Sequence, residues 1–267
     1  MSEALPTRTP LDPGYMITPK DLEMSEDQKK QMNDTPVRNA LGAIGYMVHT
    51  RWEITLFLHV LARHTASPCP KMWAGIKQLL KYLNSTKDRR RVMVKCPRIL
   101  ALILTCFVDA AYSPPWSPHA KSITCVMIFL GSCMVHFEVK AQSVVAQSST
   151  EAEIIAFSLA VRRLHYIIDI LDDLGLPYTK CVIYEDNQSA IRNFTGYQLG
   201  DLCKHIRTKF WYCKESVALP RWSLRNVSTH FQLADIGTKI LIAGEFHRKL
   251  QLIDSFNPAE DYSKMAV

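Results

Sequence analysis

The sequence predicts an α/β fold: a five-stranded mixed sheet with flanking helices, preceded by a small helical segment. Three observations predict it. Strand-like apolar runs follow one another closely between residues 98 and 141. A long amphipathic helix comes next, and after it short strand and helix patterns alternate. Strands first and alternation later give a sheet covered by helices rather than a helical bundle or an all-β sandwich.

Each element has its own local reason. Residues 1–35, rich in Pro, Thr, Asp and Lys with little periodicity, read as an irregular lead-in. From Pro36 the pattern is helical: Leu41, Ile44, Met47 and Val48 share a face, and Leu56, Val60 and Leu61 continue after a break. A third helix runs from about Pro70 to Leu83, with Trp73, Ile76, Leu79, Leu80 and Leu83 at three- and four-residue steps. Arg98 to Val108 reads as a buried strand, followed by a loop with Pro114, Pro115 and Pro118. The runs ITCVMIFL and CMVHFEV flank Gly131-Ser132, a hairpin with a type II′ turn. Thr150, with Glu153 three residues later, reads as a capping box. The helix it opens carries the stripe Ile154, Phe157, Val161, Leu164, Ile168, Leu171 and Leu174, and stops at Gly175 and Pro177. CVIYED is a strand, NQSAIRNF a short helix, Asp201 to Val217 a longer one, Trp222 to Ser228 a strand and Gln232 to Leu250 the last helix. The chain therefore divides into 1–35, a basic helical segment 36–98, an α/β domain 99–252 and a tail 253–267.

Composition sets the class. With 267 residues, 48% apolar and 21% charged, the chain can bury a real core and is not disordered. No apolar run approaches the roughly 18–20 residues that span a bilayer, so no membrane partner is expected, and the first residues lack a signal-peptide layout. The eight cysteines form no C-x-x-C pair, which favours free thiols in a reducing compartment. The net charge of +7 is unevenly placed. Residues 1–36 hold 4 basic and 7 acidic side chains, residues 37–98 hold 12 and 2, and residues 99–267 hold 16 of each. The whole excess thus lies in one segment, densest at Lys87, Arg89, Arg90, Arg91, Lys95 and Arg98. Such an excess attracts a phosphate backbone, or is simply a solvated face; charge alone weighs the two equally.

Four carboxylates stand where an open α/β sheet binds ligands, outside the strand ends. Asp109 and Asp186 end strands, whereas Glu151 and Asp235 open helices. Each alone is ordinary, and Glu151 in particular suits a helix first turn. Four that converged would repel unless a cation sat among them. All-oxygen ligands suit Mg²⁺ or Mn²⁺, and two such ions can clamp the attacking and leaving oxygens of a phosphodiester.

Residues 105–241 resemble the ribonuclease H domain of copia-type LTR retrotransposon polyproteins. The resemblance rests on SSTEAE (Ser148–Glu153), EDNQSAI (Glu185–Ile191), KHI-R (Lys204–Arg207) and V-x-T-x-x-QLAD-x-x-TK (Val227–Lys239), in family order and at family spacing. VRNALGAIGYM, TRWEI and KQLLKYLNSTKD resemble the stretch joining the reverse transcriptase palm to that domain. The resemblance implies an RNase H-like sheet, three antiparallel strands and then two more. It implies metal ligands at Asp109, Glu151, Asp186 and Asp235, two Mg²⁺ ions with Mn²⁺ as an alternative, and hydrolysis of the RNA strand of an RNA–DNA hybrid. Asn187 and Gln188 would read the hybrid's minor groove, where the 2′-hydroxyl marks the RNA. Ser148 and Ser149 would either bind phosphate or cap their helix. Lys204, His205, Arg207 and Lys209, with Arg89, Arg90 and Arg91, would meet the backbone. His230 reads as a surface histidine.

The sequence also departs from the family. Ala111 stands where the family has a second Asp, Cys125 where it has Gly, and Glu53 for Asp in TRPDI. LTKPL becomes Gly237-Thr238-Lys239-Ile240-Leu241, and no Tyr-x-Asp-Asp polymerase motif is present. The expectation is an RNase H portion separated from its upstream polymerase partner. Its setting would be intracellular, a cytoplasmic retrotransposon particle with access to the nucleus. The rival readings are an inactive relic that still binds nucleic acid, an integrase-like nuclease, which places its Glu last, and a helical interaction module.

Overall fold

A computed structural model of the chain describes residues 7–90, 93, 97, 102–196 and 204–265. The chain divides into two compact units, one of residues 1–91, 115–119 and 239–248, the other of residues 92–114, 120–238 and 249–267.

The first unit is helical. Helices α1 (Pro19–Leu22), α2 (Glu26–Asp34), α3 (Val37–Met47), α4 (Thr55–Ala62) and α5 (Pro70–Ser85) follow in order. The lead-in is therefore partly helical. Ser25 accepts the Gln28 backbone N–H and the Gln28 side chain returns to Ser25, a capping box that weak periodicity concealed. Of the expected faces, Leu41 and Ile44 of α3 and Ile76, Leu79 and Leu83 of α5 are buried, joined by Val37 and Met72. Met47, by contrast, is exposed, and Val48, Trp73 and Leu80 are half-buried. Phe246 stands edge-on to Phe57 and Tyr82, centroids 5.8 and 6.0 Å away. Arg51 is buried and committed: Nε lies 2.7 Å from Glu53 Oε1, and the guanidinium donates twice to Thr86.

The second unit is the sheet. Strands β1 (Ile103–Ala111), β2 (Ile123–Leu130), β3 (Cys133–Ala141), β4 (Lys180–Glu185) and β5 (Trp222–Asn226) lie in the order β3-β2-β1-β4-β5. β2 is antiparallel to β1 and β3, whereas β4 runs parallel to β1 and to β5. This is the RNase H-like mixed sheet that the resemblance implies. Gly131 takes φ +57° at the β2–β3 turn, and Ser132 is not among the positive-φ residues. A single positive φ at the first turn position is the type II′ requirement.

Helix α6 (Ser149–Asp173) covers one face of the sheet. Its apolar stripe from Ile154 to Leu171 packs with Leu104, Cys106, Val108, Val126, Ile128, Cys181 and Ile183, whereas Leu174 is exposed past the helix end. The helix starts two residues before the expected place, with Ser148 as N-cap. Helix α7 (Gln188–Thr195) and helix α8 (Lys204–Val217) follow as expected, although residues 201–203 lie outside the description. The alternate residues point to the other face, where Phe107 stacks on Tyr184 at 5.0 Å. Phe256 and Tyr262 close that face, Phe256 stacking on Phe129 at 4.0 Å. Part of the tail is thus core. The expected long helix from Gln232 to Leu250 is two pieces instead: a 3₁₀ turn Leu233–Gly237 and helix α9 (Ala243–Asp254). The 3₁₀ turn ends as the Thr238 N–H bonds back to Asp235.

Edge strand β3 is tied to α6 by Glu138. The His136 ring nitrogen at 3.3 Å and the Arg163 guanidinium, with bonds of 2.7 and 3.0 Å, hold its carboxyl down to about 2. A lowered folded pKa gives stability that is present above the unfolded value and lost as pH falls towards 2. Arg163→Ala should therefore cost about 1 kcal/mol at pH 7, after discounting for solvent screening, and progressively less between pH 5 and pH 2.5. Urea unfolding at the two ends of that range measures the difference.

Candidate active site

Parallel pairing of β1 and β4 brings their C-terminal ends to one edge of the sheet. Asp109 near the end of β1 and Asp186 just past β4 meet there for that reason. The third partner arrives through Gln232, which is fully buried. Its Nε2 donates to Val108 O at 2.9 Å, and its Oε1 accepts the Ala234 N–H. This fastens the 3₁₀ turn to β1 and sets Asp235 beside Asp109. Carboxylate oxygens of Asp109, Asp186 and Asp235 all lie within 4.8 Å of one another. Asp109 and Asp235 are each 2% exposed and Asp186 is half-buried.

The surroundings meet these carboxylates with donors. Thr238 Oγ1 donates to Asp109 Oδ2, and Thr229 Oγ1 to Asp186 Oδ2 at 3.2 Å. Lys249 Nζ lies 3.1 Å from Asp235 Oδ2. The sequence alone assigns no site role to Gln232, Thr238 or Lys249. Thr238 and Gln232 stand inside the V-x-T-x-x-QLAD-x-x-TK motif, which was the available signal; Lys249 had none.

Glu151 does not join the cluster. Its carboxylate accepts the Gln147 N–H at 2.7 Å, and its own N–H donates to Ser148 Oγ. It serves the start of α6. Glu153, two residues on and 5% exposed, forms a second group within 4.8 Å with Glu185 and Asp186. Asp186 belongs to both groups, so the two carboxylate sets meet at one strand end. Glu185 is fully buried; burial, and then the charges of Asp186 and Asp109, push its carboxyl well above the ordinary range.

The remaining expected residues are placed as follows. Ser148 is the N-cap of α6 and Ser149 its first residue, both exposed. Asn187 caps α7 by accepting the Ala190 N–H, and the exposed Gln188 accepts from Arg192. Arg207 is exposed on α8, while the side chains of Lys204 and His205 lie outside the described residues. In the helical unit Arg90 is exposed and Arg89 sits 3.7 Å from Glu53; Arg91 is outside the description. His230 is half-buried, and its carbonyl accepts from Lys249 at 3.4 Å.

No family model matches the chain. It is 28% identical over 254 residues, 95% of its length, to the retrovirus-related Pol polyprotein from transposon TNT 1-94 of Nicotiana tabacum. It is equally similar, over 257 residues, to that from transposon RE2 of Arabidopsis thaliana. These relatives, at 28% identity over 95% of the chain, are copia-type retrovirus-related Pol polyproteins. The chain spans 19% and 17% of those two relatives. Secreted RxLR effector protein 161 of Plasmopara viticola is 32% identical over 132 residues, 49% of this chain and 90% of that protein. Among solved structures, LC11-RNase H1 in complex with RNA/DNA hybrid aligns at TM-score 0.38 and 12% identity, covering 48% of this chain and 88% of that one.

Two of the departures from the resembled pattern touch each other. A Cβ on Gly237 would collide with Cys125 Sγ and stand 2.9 Å from Val139 Cγ2. Where the resemblance puts a small residue in the strand and a large one in the turn, this chain has the reverse, so volume is conserved behind Asp109. Gly237→Ala should lower stability by about 1–3 kcal/mol, and adding Cys125→Gly should recover most of it. Thermal melts of the two variants and the parent measure this.

Proposed function

We propose that this segment hydrolyses the RNA strand of RNA–DNA hybrids, using Asp109, Glu153, Asp186 and Asp235 as its carboxylate set. The carrying observation is the convergence of three aspartates on one sheet edge, two of them buried and Asp186 half-buried, with Glu153 reaching Asp186 from the adjoining group. Glu153 takes the role that the sequence reading gave to Glu151, because Glu151 is occupied at the helix cap.

The donor set fits a hard divalent cation: it is all carboxylate oxygen and close-packed, without sulfur or imidazole among its members. Asp109, Asp186 and Asp235 would hold Mg²⁺ or Mn²⁺ with Glu153 alongside. Such ions, when bound, activate water and offset charge on the phosphate. The protein's own part is to hold the carboxylates in register. Thr238 fixes Asp109, Thr229 fixes Asp186, and Gln232 locks the turn of Asp235 to β1. On this reading substrate contact falls to exposed groups of the same unit, such as Gln188 on α7 and Arg207 on α8. The partners on this reading are the hybrid and the polymerase part of a parent polyprotein, in an intracellular setting. No helix among the described residues is long and apolar enough to cross a membrane.

A labelled RNA–DNA hybrid with Mg²⁺ tests the reading. The parent should cut the RNA strand. Asp186→Asn and Glu153→Gln should each lower the rate about 100-fold or more, a loss of several kcal/mol of charge stabilisation. Glu151→Gln should stay within a few-fold of the parent. Cleavage lost in Glu151→Gln but kept in Glu153→Gln would reverse the assignment. No cleavage by the parent would leave the inactive relic.

A further inference from the structure

We propose that Lys249 is a resident counter-cation of the carboxylate cluster, a positioning residue that holds Asp235 before any metal arrives and competes with a divalent ion for it. The proposal rests on reading the cluster as a divalent-cation site.

Lys249 is 1% exposed, although it lies on helix α9, where a lysine would ordinarily reach water. Lysine is almost never fully buried unless paired. Its ammonium carries three donors and no acceptor. Around Nζ stand Gln232 O at 2.7 Å, Thr229 O at 3.1 Å, His230 O at 3.4 Å and Asp235 Oδ2 at 3.1 Å. This is an oxygen cage of three carbonyls and a carboxylate, the kind of shell a hard cation takes, and here an ammonium fills it.

Two consequences follow. The three carbonyls belong to the turn that leads into Asp235, so one cation fixes both the backbone of that turn and its carboxylate. The net negative charge awaiting a divalent ion is also one unit smaller than the three aspartates suggest. An ion entering the cluster shares Asp235 with a neighbouring positive charge, which opposes its binding. Lys249 thus trades divalent affinity for a site that is already folded when the metal is absent.

The test uses the full chain without nucleic acid, so that it is read independently of cleavage. Lys249→Gln keeps a donor for the carbonyls and removes the charge. It should bind Mn²⁺ about tenfold more tightly by calorimetry, the size expected when a nearby like charge is removed. In EDTA it should melt roughly 5–10 °C lower than the parent. The double variant Asp235→Asn, Lys249→Met replaces the ion pair by neutral groups. Its loss of melting temperature should be smaller than the sum of the losses of Asp235→Asn and Lys249→Met. If Lys249→Gln fails to fold while the double variant folds, the charge coupling is demonstrated directly. Unchanged or weaker Mn²⁺ binding in Lys249→Gln, additive losses in the cycle, or failure of the double variant to fold would each overturn the proposal and leave Lys249 a clamp on carbonyls. A parent that binds Mn²⁺ without cutting hybrid would remove the nuclease reading and leave this proposal standing. A parent that binds no Mn²⁺ would remove both.

Discussion

Like charges crowded into a dry space are the constraint on which the second unit depends. Three carboxylates with oxygens inside 4.8 Å, two of them almost wholly buried, would repel one another apart in a flexible scaffold. What keeps them together is the sheet. Asp109 and Asp186 extend from neighbouring parallel strands whose separation is set by backbone hydrogen bonds, not by the side chains. Asp235 has no strand of its own and is brought in by side-chain bonds, Gln232 to Val108 O and Lys249 to its carboxylate. The third member is therefore the one that depends most on local support, and that support is where this chain spends its buried polar groups.

The sheet edge was legible in the sequence because strand ends are. The apolar runs stop at Asp109 and Asp186, and the Gly131-Ser132 turn pairs β2 with β3. The resemblance puts the α6 carboxylate at Glu151; Glu153 lies two residues on, about 200° of helical rotation away. Only the observed cap, Ser148 accepting from Glu151 N, shows which glutamate turns back to the helix start. Lys249 was invisible because a lysine on an amphipathic helix reads as surface. Its burial depends on carbonyls some twenty residues away in sequence.

The contact between Cys125 and Gly237 shows how single departures from a family mislead when taken one at a time. Each looks like decay: a bulky thiol where the strand had no side chain, and a glycine where the turn had a large apolar group. Placed against each other they keep the packing behind Asp109 filled. Close-packed interiors tolerate changes that conserve volume and punish those that do not. The two positions are therefore one compensated site.

The same lesson governs the charge. Twelve basic residues in 37–98 look like twelve handles for a polyanion. Arg51 is buried on Glu53 and Thr86, Arg89 shares Glu53, and Lys71 pairs with Asp21 at 2.9 Å. Arg63 donates to Ser117 and lies over the Trp116 ring. These cations are committed to the fold of the helical unit, so the net charge of the segment is an upper bound on what a phosphate backbone would meet. The exposed remainder, with Lys77, Lys81, Lys87 and Arg90 among it, is the part that can release counterions. A salt dependence of binding should count these residues and not the composition.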